Sequence, residues 1–156
     1  MLQQIIDADN EEAARKEKLR QARKKQVFPV GHYEKIAEKN IVAIFQGRSE
    51  AGPRALGNRS ILYTPMDPHG KDFVNTVKKR EWFRPFAGSI LKEHFEEWFE
   101  TYGMTETPFM MYAMDFKADK KELVPCITHV DGTCRIQTVD EESNPAYYEL
   151  ISEFYQ

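Results

Sequence analysis

The stretch Ile41-Val-Ala-Ile-Phe45 runs directly into Gln46-Gly-Arg-Ser-Glu-Ala-Gly-Pro-Arg-Ala-Leu-Gly-Asn-Arg-Ser60, and this junction indicates the fold. Its first five residues are apolar and mostly β-branched, which is typical of a strand buried at the centre of a sheet. The loop that follows then lies at the carboxyl end of the strand, where open α/β sheets bind ligands. We therefore expect an α/β domain whose ligand site includes this loop.

The loop combines arginines with glycines. Arg48, Arg54 and Arg59 alternate with Gly52 and Gly57. Glycine lets backbone N–H groups approach a ligand closely, and a guanidinium group can hold phosphate or carboxylate oxygens through two parallel hydrogen bonds. An isolated arginine is usually a solvated surface residue, but three of them in one glycine-rich loop favour a site for a polyanion.

Two further segments carry polar chemistry. Lys78-Lys-Arg-Glu-Trp-Phe-Arg-Pro-Phe86 is basic and aromatic, and Thr128-His-Val-Asp-Gly-Thr-Cys-Arg-Ile-Gln137 is polar. Lys78 to Arg80 alone would be an ordinary solvated helix end. The aromatic residues that follow indicate that this basic run is held against apolar surface. We expect the ligand site where the arginine loop and these two segments meet.

The distribution of charge limits the class of ligand. The chain has a net charge of −3, but residues 48–84 are net +4 and residues 85–156 are net −9. A domain that coats nucleic acid is usually basic overall, so this pattern favours a compact anionic ligand and makes nucleic acid an unlikely partner.

Cysteine spacing and hydropathy exclude other classes. Cys126 and Cys134, with His129 between them, match no common zinc-binding spacing, so we predict no metal held by these residues. No apolar run reaches the roughly twenty residues of a membrane helix, and the start of the chain lacks the features of a signal peptide. We expect a cytoplasmic protein that does not contact a membrane.

Hydrophobic periodicity divides the chain into elements. Residues 1–26 read as a charged helical extension or connector, and residues 27–156 as one domain. Within that domain we expect a short helix over 32–39, a helix over 69–79 and an extended, turn-rich segment over 84–91. We also expect a helix with Phe95, Trp98 and Phe99 on its buried face, a strand over 109–116, a half-buried strand over 135–139 and a last helix from Asn144.

Three segments carry a family resemblance. Gly47-Arg-Ser-Glu-Ala-Gly-Pro-Arg-Ala-Leu-Gly-Asn-Arg-Ser-Ile61, Lys78-Lys-Arg-Glu-Trp-Phe-Arg-Pro-Phe-Ala87 and Thr128-His-Val-Asp-Gly-Thr-Cys-Arg-Ile-Gln-Thr-Val139 closely resemble, in this order, signature segments of the carboxyl-terminal domain of O-carbamoyltransferases. Members of that family modify nodulation factors and antibiotics such as tobramycin and cephamycin. The resemblance covers about residues 32 to 155, and three long ordered motifs are far more specific than a short pattern.

The resemblance implies a fold and an activity. The fold would be similar to YrdC-like nucleotide- and RNA-binding domains, with a twisted, mostly parallel open sheet and flanking helices. In such enzymes this domain takes ATP, with Mg²⁺, and carbamoyl phosphate, and makes carbamoyl adenylate. A separate, larger amino-terminal domain of actin-like fold, supplied in cis or in trans, then passes the carbamoyl group to a hydroxyl acceptor.

Residue roles follow from matching the motifs. The resemblance makes Arg54, Lys78, Arg84 and Arg135 the catalytic candidates, whose task is to neutralise charge on the reacting phosphates. A second group binds nucleotide or orients the loops: Arg48, Gly52, Gly57, Arg59, Arg80, Thr128, His129 and Asp131. For His129 and Asp131 two roles remain open, since they either contact nucleotide or Mg²⁺ or close a hydrogen-bonded turn before Gly132.

The resemblance also implies that the domain is incomplete. The family pattern continues past the segment matching Tyr147 to Tyr155 with a Gly/Pro turn and an Asn-Thr-Ser-Phe-Asn stretch, whereas the sequence ends at Gln156. Missing strands would leave a sheet edge unpaired, which invites association, including with a second copy of the chain. The alternative function is a noncatalytic nucleotide- or RNA-binding module of the same fold.

Overall fold

The computed structural model describes residues 31–47 and 49–155. The predicted charged extension over residues 1–26 and the candidate Arg48 lie outside these residues. Two short 3₁₀ helices, Lys92–His94 and Lys121–Leu123, accompany the main elements. In chain order these elements are α1 His32–Ala37, β1 Val42–Phe45, β2 Arg59–Leu62, α2 Gly70–Val77, β3 Ala87–Leu91, α3 Phe95–Trp98, β4 Ala113–Asp115, β5 Thr133–Val139 and α4 Pro145–Tyr155.

The larger sheet has three strands in the order β3-β5-β4. Strand β3 is parallel to β5, with Ala87 beside Arg135 and Leu91 beside Val139, and β4 is antiparallel to β5. The prediction that β5 is half-buried was wrong, because its last four residues, Ile136 to Val139, are all buried. As the central strand, β5 is covered by packed side chains on both faces.

The smaller sheet pairs β1 with β2 in antiparallel fashion. The predicted strand after Asn40 is confirmed as β1, but its placement at the centre of a sheet was wrong. Residues of β1 alternate between buried and exposed, and Phe45 is 84% exposed. A five-residue apolar run fits either a fully buried strand or one with a single covered face, and the partner β2 was not predicted at all.

The α/β class is confirmed, but the expected mostly parallel arrangement is not what the described residues form. One of the three strand pairings is parallel and two are antiparallel. The similarity to YrdC-like domains remains a prediction. The single predicted strand over 109–116 was also wrong in extent, since only Ala113–Asp115 pairs in a ladder, followed by an isolated bridge between Phe99 and Phe116.

The predicted helices are confirmed in position, and they build two apolar clusters on the sheet. Phe95 and Phe99 are almost fully buried in the first cluster, with Met114, Cys134 and Ile136. The second cluster joins α1, the β1–β2 sheet and α4 to the end of β5. It contains Ile36, Val42, Ile44, Val139, Tyr147 and Leu150. Tyr147 of the second cluster also lies against Gly57 of the arginine loop.

Candidate functional site

A cavity of about 370 Å³ lies between the two sheets. Its walls come from β2, α2, the segment entering β3, and α4. Cationic side chains, apolar side chains and hydroxyl groups line it together. The polar lining residues include Arg59, Ser60, Lys78, Arg80, Ser89 and Arg135. A cavity of this size with convergent polar groups is the usual form of a small-molecule site.

Three guanidinium groups near this cavity contain buried nitrogens that have no hydrogen-bond partner. They are Nε of Arg54, one terminal nitrogen of Arg80 and Nε of Arg135. Leaving a buried donor unsatisfied costs about 1–3 kcal/mol, and more when the group is charged. Among the described residues a single further side-chain atom is in this state, Nε1 of Trp98. These donors are therefore concentrated where an anion would satisfy them.

The same groups repel one another. Burial, and next the positive charge of Arg54, lower the pKa of Arg135. Burial and the charge of Arg84 lower the pKa of Arg80, although Glu81 acts in the opposite direction. The pKa of Lys78 is also lowered, by burial and then by Arg80. An anion bound among them would relieve this repulsion, since opposite charges favour the charged form of each group.

The side chain of Asn75 holds the basic segment in place through hydrogen bonds. It is 1% exposed, and its amide nitrogen donates hydrogen bonds of 3.1 Å to the carbonyl oxygens of both Trp82 and Arg84. Its carbonyl oxygen accepts from Nε of Arg80, whose guanidinium stacks 4.3 Å from the ring centre of Phe86. Sequence reasoning missed Asn75. An amide beside the apolar Val74 in α2 was the available signal, because a buried amide needs partners.

The arginine loop is shaped by Glu50, a second residue that sequence reasoning missed. One carboxylate oxygen of Glu50 accepts hydrogen bonds from the backbone N–H of Leu56 at 2.9 Å and of Asn58 at 2.8 Å. The amide of Gln46 donates to the carbonyl oxygen of Gly57 at 2.9 Å. These bonds fold the loop back onto β1 and β2, and so bring Arg54 towards Arg135.

Gly57 and Gly52, predicted together, occupy different surroundings. Both have positive φ, +99° and +103°. A Cβ atom at Gly57 would lie 2.3 Å from the ring of Tyr147, whereas a Cβ at Gly52 would meet nothing within 4 Å. Gly57 therefore allows the loop to pack directly on α4, and Gly52 lies in open space.

Tyr147 connects the loop to the sheet. Its hydroxyl donates to Oγ of Ser89 at 2.9 Å, and Ser89 donates to the side-chain oxygen of Gln137 at 3.2 Å. The amide nitrogen of Gln137 then donates to the carbonyl oxygen of Leu56 at 3.1 Å. Burial raises the pKa of Tyr147 to about 12, so its hydroxyl remains a donor across the neutral range.

Arg59 acts within the loop. Its guanidinium donates to the carbonyl oxygens of Gln46 and Asn58, and it lies 3.7 Å above the ring of Phe45. This geometry fits the loop-orienting role that the sequence offered for Arg59. Backbone oxygens occupy much of its donor capacity, so less of it remains for a ligand.

Arg84 does not line the cavity, although it is close enough to Arg80 for its charge to lower the pKa of that residue. Arg84 is exposed, and its Nε forms a 2.7 Å ion pair with Glu81. The aromatic side chains beside it, Trp82 and Phe83, are 73% and 61% exposed and meet edge to face. Trp82 and Phe83 therefore do not hold the basic segment against apolar surface as predicted, whereas the ring of Phe86 does contact Arg80.

The segment from Thr128 to Thr133 forms a closed turn. The Nε2–H of His129 donates to the carbonyl oxygen of Phe86 at 3.1 Å, and its Nδ1 lies 3.2 Å from Oγ of Thr133. Asp131 accepts from both the N–H and the hydroxyl of Thr133, which lowers the pKa of its carboxyl. The hydroxyl of Thr128 is 3.0 Å from the carbonyl oxygen of Val124. Of the two roles left open, this geometry favours the structural one.

The structure thus brings Lys78, Arg80 and Arg135 together at the cavity, and it places Arg54 close enough to Arg135 for the two charges to interact. In residues 31–47 and 49–155 no group of three or more His, Cys, Asp or Glu side chains could hold a metal ion. Nor does any helix there have the length and apolar character needed to cross a membrane.

Comparison with known proteins identifies the same family that the three sequence motifs resemble. Residues 33–156 match the family described as Carbamoyltransferase C-terminus. Nodulation protein NolNO of Sinorhizobium fredii is 49% identical over 121 residues, which cover 76% of this chain and 18% of that protein. The 3'-hydroxymethylcephem-O-carbamoyltransferase of Streptomyces clavuligerus is 41% identical over 130 residues, covering 78% of this chain and 22% of that enzyme. The chain thus spans about a fifth of the length of these curated relatives.

Proposed function

The chain belongs to the carbamoyltransferase C-terminus family, and on this basis we propose that it binds ATP and carbamoyl phosphate and forms carbamoyl adenylate. One observation carries the proposal. Buried guanidinium nitrogens of Arg54, Arg80 and Arg135 have no partner in the described part of the chain. Both substrates offer several phosphate oxygens, which would fill these positions with charge-assisted hydrogen bonds.

The proposed chemistry consumes one water. Carbamoyl phosphate and water give carbamate and phosphate, and a carbamate oxygen then attacks the α-phosphorus of ATP, so that pyrophosphate leaves and carbamoyl adenylate remains. Negative charge builds on the transferred phosphorus oxygens and on the leaving group. Arg54, Arg80 and Arg135 would stabilise that charge, and Lys78 would neutralise a further phosphate oxygen.

We propose that Mg²⁺ arrives bound to the nucleotide. The described residues offer no group of three candidate metal ligands, and Asp131 is already held by Thr133. Magnesium commonly keeps several waters and binds through substrate phosphates. On this proposal the metal contributes charge neutralisation on ATP, while the chain contributes the guanidinium groups.

Transfer of the carbamoyl group to a hydroxyl would need a separate domain, which we propose to be the actin-like partner. Such a step requires an acceptor oxygen held near the carbamoyl carbon and a base or metal that assists its deprotonation. The described residues place no such second constellation at the cavity. Each hydroxyl that lines the cavity has a hydrogen-bond partner within the chain: Tyr147 donates to Ser89, Tyr63 donates to Asp67, and Ser60 accepts from the N–H of Gly57.

The proposal is tested by following products from the purified full chain. Mg-ATP and carbamoyl phosphate should together give phosphate, pyrophosphate and a carbamoyl adenylate detected by mass spectrometry. Arg54→Ala should slow pyrophosphate release by about tenfold or more, given about 1.5–3 kcal/mol for a hydrogen bond to a charged group. Lys117→Ala is the matched control, because Lys117 pairs with Glu100 on the surface, away from the cavity.

The second candidate is noncatalytic binding of single-stranded RNA. The exposed rings of Trp82 and Phe83 beside Arg84 favour it, because such rings stack bases while cations contact phosphates. Competition separates the two functions. RNA binding is supported if a labelled oligonucleotide binds, ATP does not displace it, and Trp82→Ala abolishes its binding. If ATP binds and the oligonucleotide does not bind at all, this function is contradicted.

A further inference from the structure

Helix α2 ends in a Schellman motif, in which two backbone hydrogen bonds close the last turn. The N–H of Arg80 donates to the carbonyl oxygen of Asn75 at 3.1 Å. The N–H of Lys79 donates to the carbonyl oxygen of Thr76 at 3.0 Å, and Lys79 has the positive φ, +50°, that this motif requires after the helix cap. The motif therefore places Asn75, in the last turn of the helix, beside Arg80, the residue that follows the turn.

The side chains at these two positions make a polar contact. In a Schellman motif they frequently make an apolar one. Here the side-chain oxygen of Asn75 accepts a hydrogen bond from Nε of Arg80. The guanidinium of Arg80 also stacks 4.3 Å from the ring centre of Phe86. Asn75 thus holds both the backbone and the side chain of Arg80, while an aromatic ring covers one face of the guanidinium.

The amide nitrogen of Asn75 fixes the chain that follows Arg80. It donates to the carbonyl oxygens of Trp82 and Arg84, both at 3.1 Å. Asn75 is 1% exposed, so water has almost no access to replace these partners. A buried amide with this many partners has one favourable orientation, because any other would leave buried polar groups unsatisfied. A single side chain therefore fixes Arg80 and the segment beyond it.

Repulsion among the cations explains why Arg80 needs this support. Beyond burial, the charge of Arg84 lowers the pKa of Arg80, and the charges of Arg54 and Arg80 lower that of Arg135. Guanidinium groups that repel one another would separate into solvent if their side chains were free, since water screens their charges. Arg80 instead lines the cavity and keeps one terminal nitrogen buried without a partner. The contacts with Asn75 oppose its movement away from that position.

We propose that Asn75 is a positioning residue for anion binding, which holds the guanidinium of Arg80 at the cavity before the ligand arrives. Asn75 occupies Nε of Arg80, so the terminal nitrogens are the donors that meet phosphate oxygens. Ordering a long side chain in advance removes the cost of ordering it from the free energy of binding. This role rests on the proposed function, because it concerns the same anion.

The test is a double-mutant cycle on the purified full chain, with pyrophosphate as the ligand and calorimetry as the measurement. Asn75→Ala should weaken pyrophosphate binding by about three- to tenfold, the cost of ordering one long side chain on binding. Arg80→Ala should weaken it by about tenfold or more, because a charge-assisted hydrogen bond is lost. The double variant should bind no more weakly than Arg80→Ala, since Asn75 acts on the anion only through Arg80.

Thr76→Ala is the matched control. Thr76 is the next residue of α2, its hydroxyl donates to the carbonyl oxygen of Asp72 in the same helix at 2.8 Å, and it does not line the cavity. This variant should bind pyrophosphate as the parent does. Nuclear magnetic resonance provides a second readout without ligand. The Nε–H of Arg80 should exchange with water at least about tenfold more slowly in the parent than in Asn75→Ala, because it loses its acceptor.

Unchanged pyrophosphate affinity in Asn75→Ala would overturn the proposal. So would losses in the cycle that add in free energy, or equally fast exchange of the Arg80 Nε–H in the two proteins. If the parent binds neither pyrophosphate nor ATP, the proposed function fails and the role of Asn75 fails with it. If the parent binds and Asn75→Ala binds equally well, only the role of Asn75 fails. Should Asn75→Ala not fold, the cycle is repeated with Lys79→Gly in every variant, because glycine adopts a positive φ without strain.

Discussion

The guanidinium cluster, which consists of Arg54, Arg80 and Arg135, and the turn from Thr128 to Thr133 are connected through β5. They differ in whether their polar groups have hydrogen-bond partners. In the turn, His129 and Asp131 have partners within the chain, including Phe86 and Thr133. In the cluster, Arg54 and Arg135 each bury a nitrogen with no partner. Both segments carry signature motifs, so sequence resemblance alone does not distinguish them.

The difference separates scaffold from binding surface. Polar groups that satisfy one another stabilise the protein in the absence of ligand. Buried cations that lack partners and repel one another cost stability, and such a cost is common at functional sites. The turn therefore holds the start of β5 against the carbonyl of Phe86, while the cluster is the part of the chain that we propose to bind an anion.

The largest expected effect concerns the packing of the arginine loop on α4. Gly57→Ala should destabilise the chain by about 2–4 kcal/mol, combining a strained positive φ with overpacking against Tyr147. Gly52→Ala should cost only the strain, about 1–2 kcal/mol. Urea unfolding of both variants measures the difference. Equal losses would show that the contact with Tyr147 does not position the loop.

The second largest effect concerns anion binding by the guanidinium cluster. Arg135→Met should weaken pyrophosphate binding by about 10- to 100-fold, on the basis of about 1.5–3 kcal/mol for a charge-assisted hydrogen bond. The ligand-free variant should be at least as stable as the parent, since an unsatisfied, repelled cation is removed. Calorimetry and thermal unfolding give the two values. Arg135→Lys retains the charge but lacks the planar fork, so it should restore binding only in part.

A substitution in the turn should lower stability and leave anion affinity unchanged, which is the reverse of the effect expected for Arg135→Met. His129→Ala should reduce stability by about 1–2 kcal/mol, because the carbonyl of Phe86 loses its donor. Pyrophosphate affinity should stay close to that of the parent chain. His69→Ala, which changes an exposed histidine, is the control for both measurements. A selective loss of affinity in the His129 variant would move this residue into the binding site.

The smallest effect is a dependence on pH. Hydrogen bonds from Thr133 hold the pKa of Asp131 below its usual value of 3.8. A lowered folded pKa stabilises the protein above pH 3.8, and this contribution is lost as the pH falls through the folded pKa. Asp131→Asn should therefore be slightly less stable than the parent at neutral pH and indistinguishable from it in strong acid. If the difference in unfolding free energy between the parent and Asp131→Asn did not change with pH, the hydrogen bonds from Thr133 would not stabilise the charged form of Asp131.

Local sequence was sufficient for the class of fold, and it supplied the prediction of an anionic ligand. Alternating apolar and polar periods predicted α1, α2 and α4, since these depend on neighbours three or four residues away. Clustered arginines with glycines predicted an anion site because the chemistry resides in the residue types. Strand β2 was missed because the arginine loop that leads into it has no β pattern. The central position of β5 was missed because burial on both faces depends on distant helices.

What the sequence alone determined is therefore an α/β domain of the carbamoyltransferase C-terminus family with three polar segments. Only the tertiary structure decided which of their residues meet. Asn75, Glu50 and Tyr147 set the loops through hydrogen bonds and ring contacts that no local period encodes. The physical reason is that a side chain's role depends on whether its polar atoms find partners, and those partners come from elements far away along the chain.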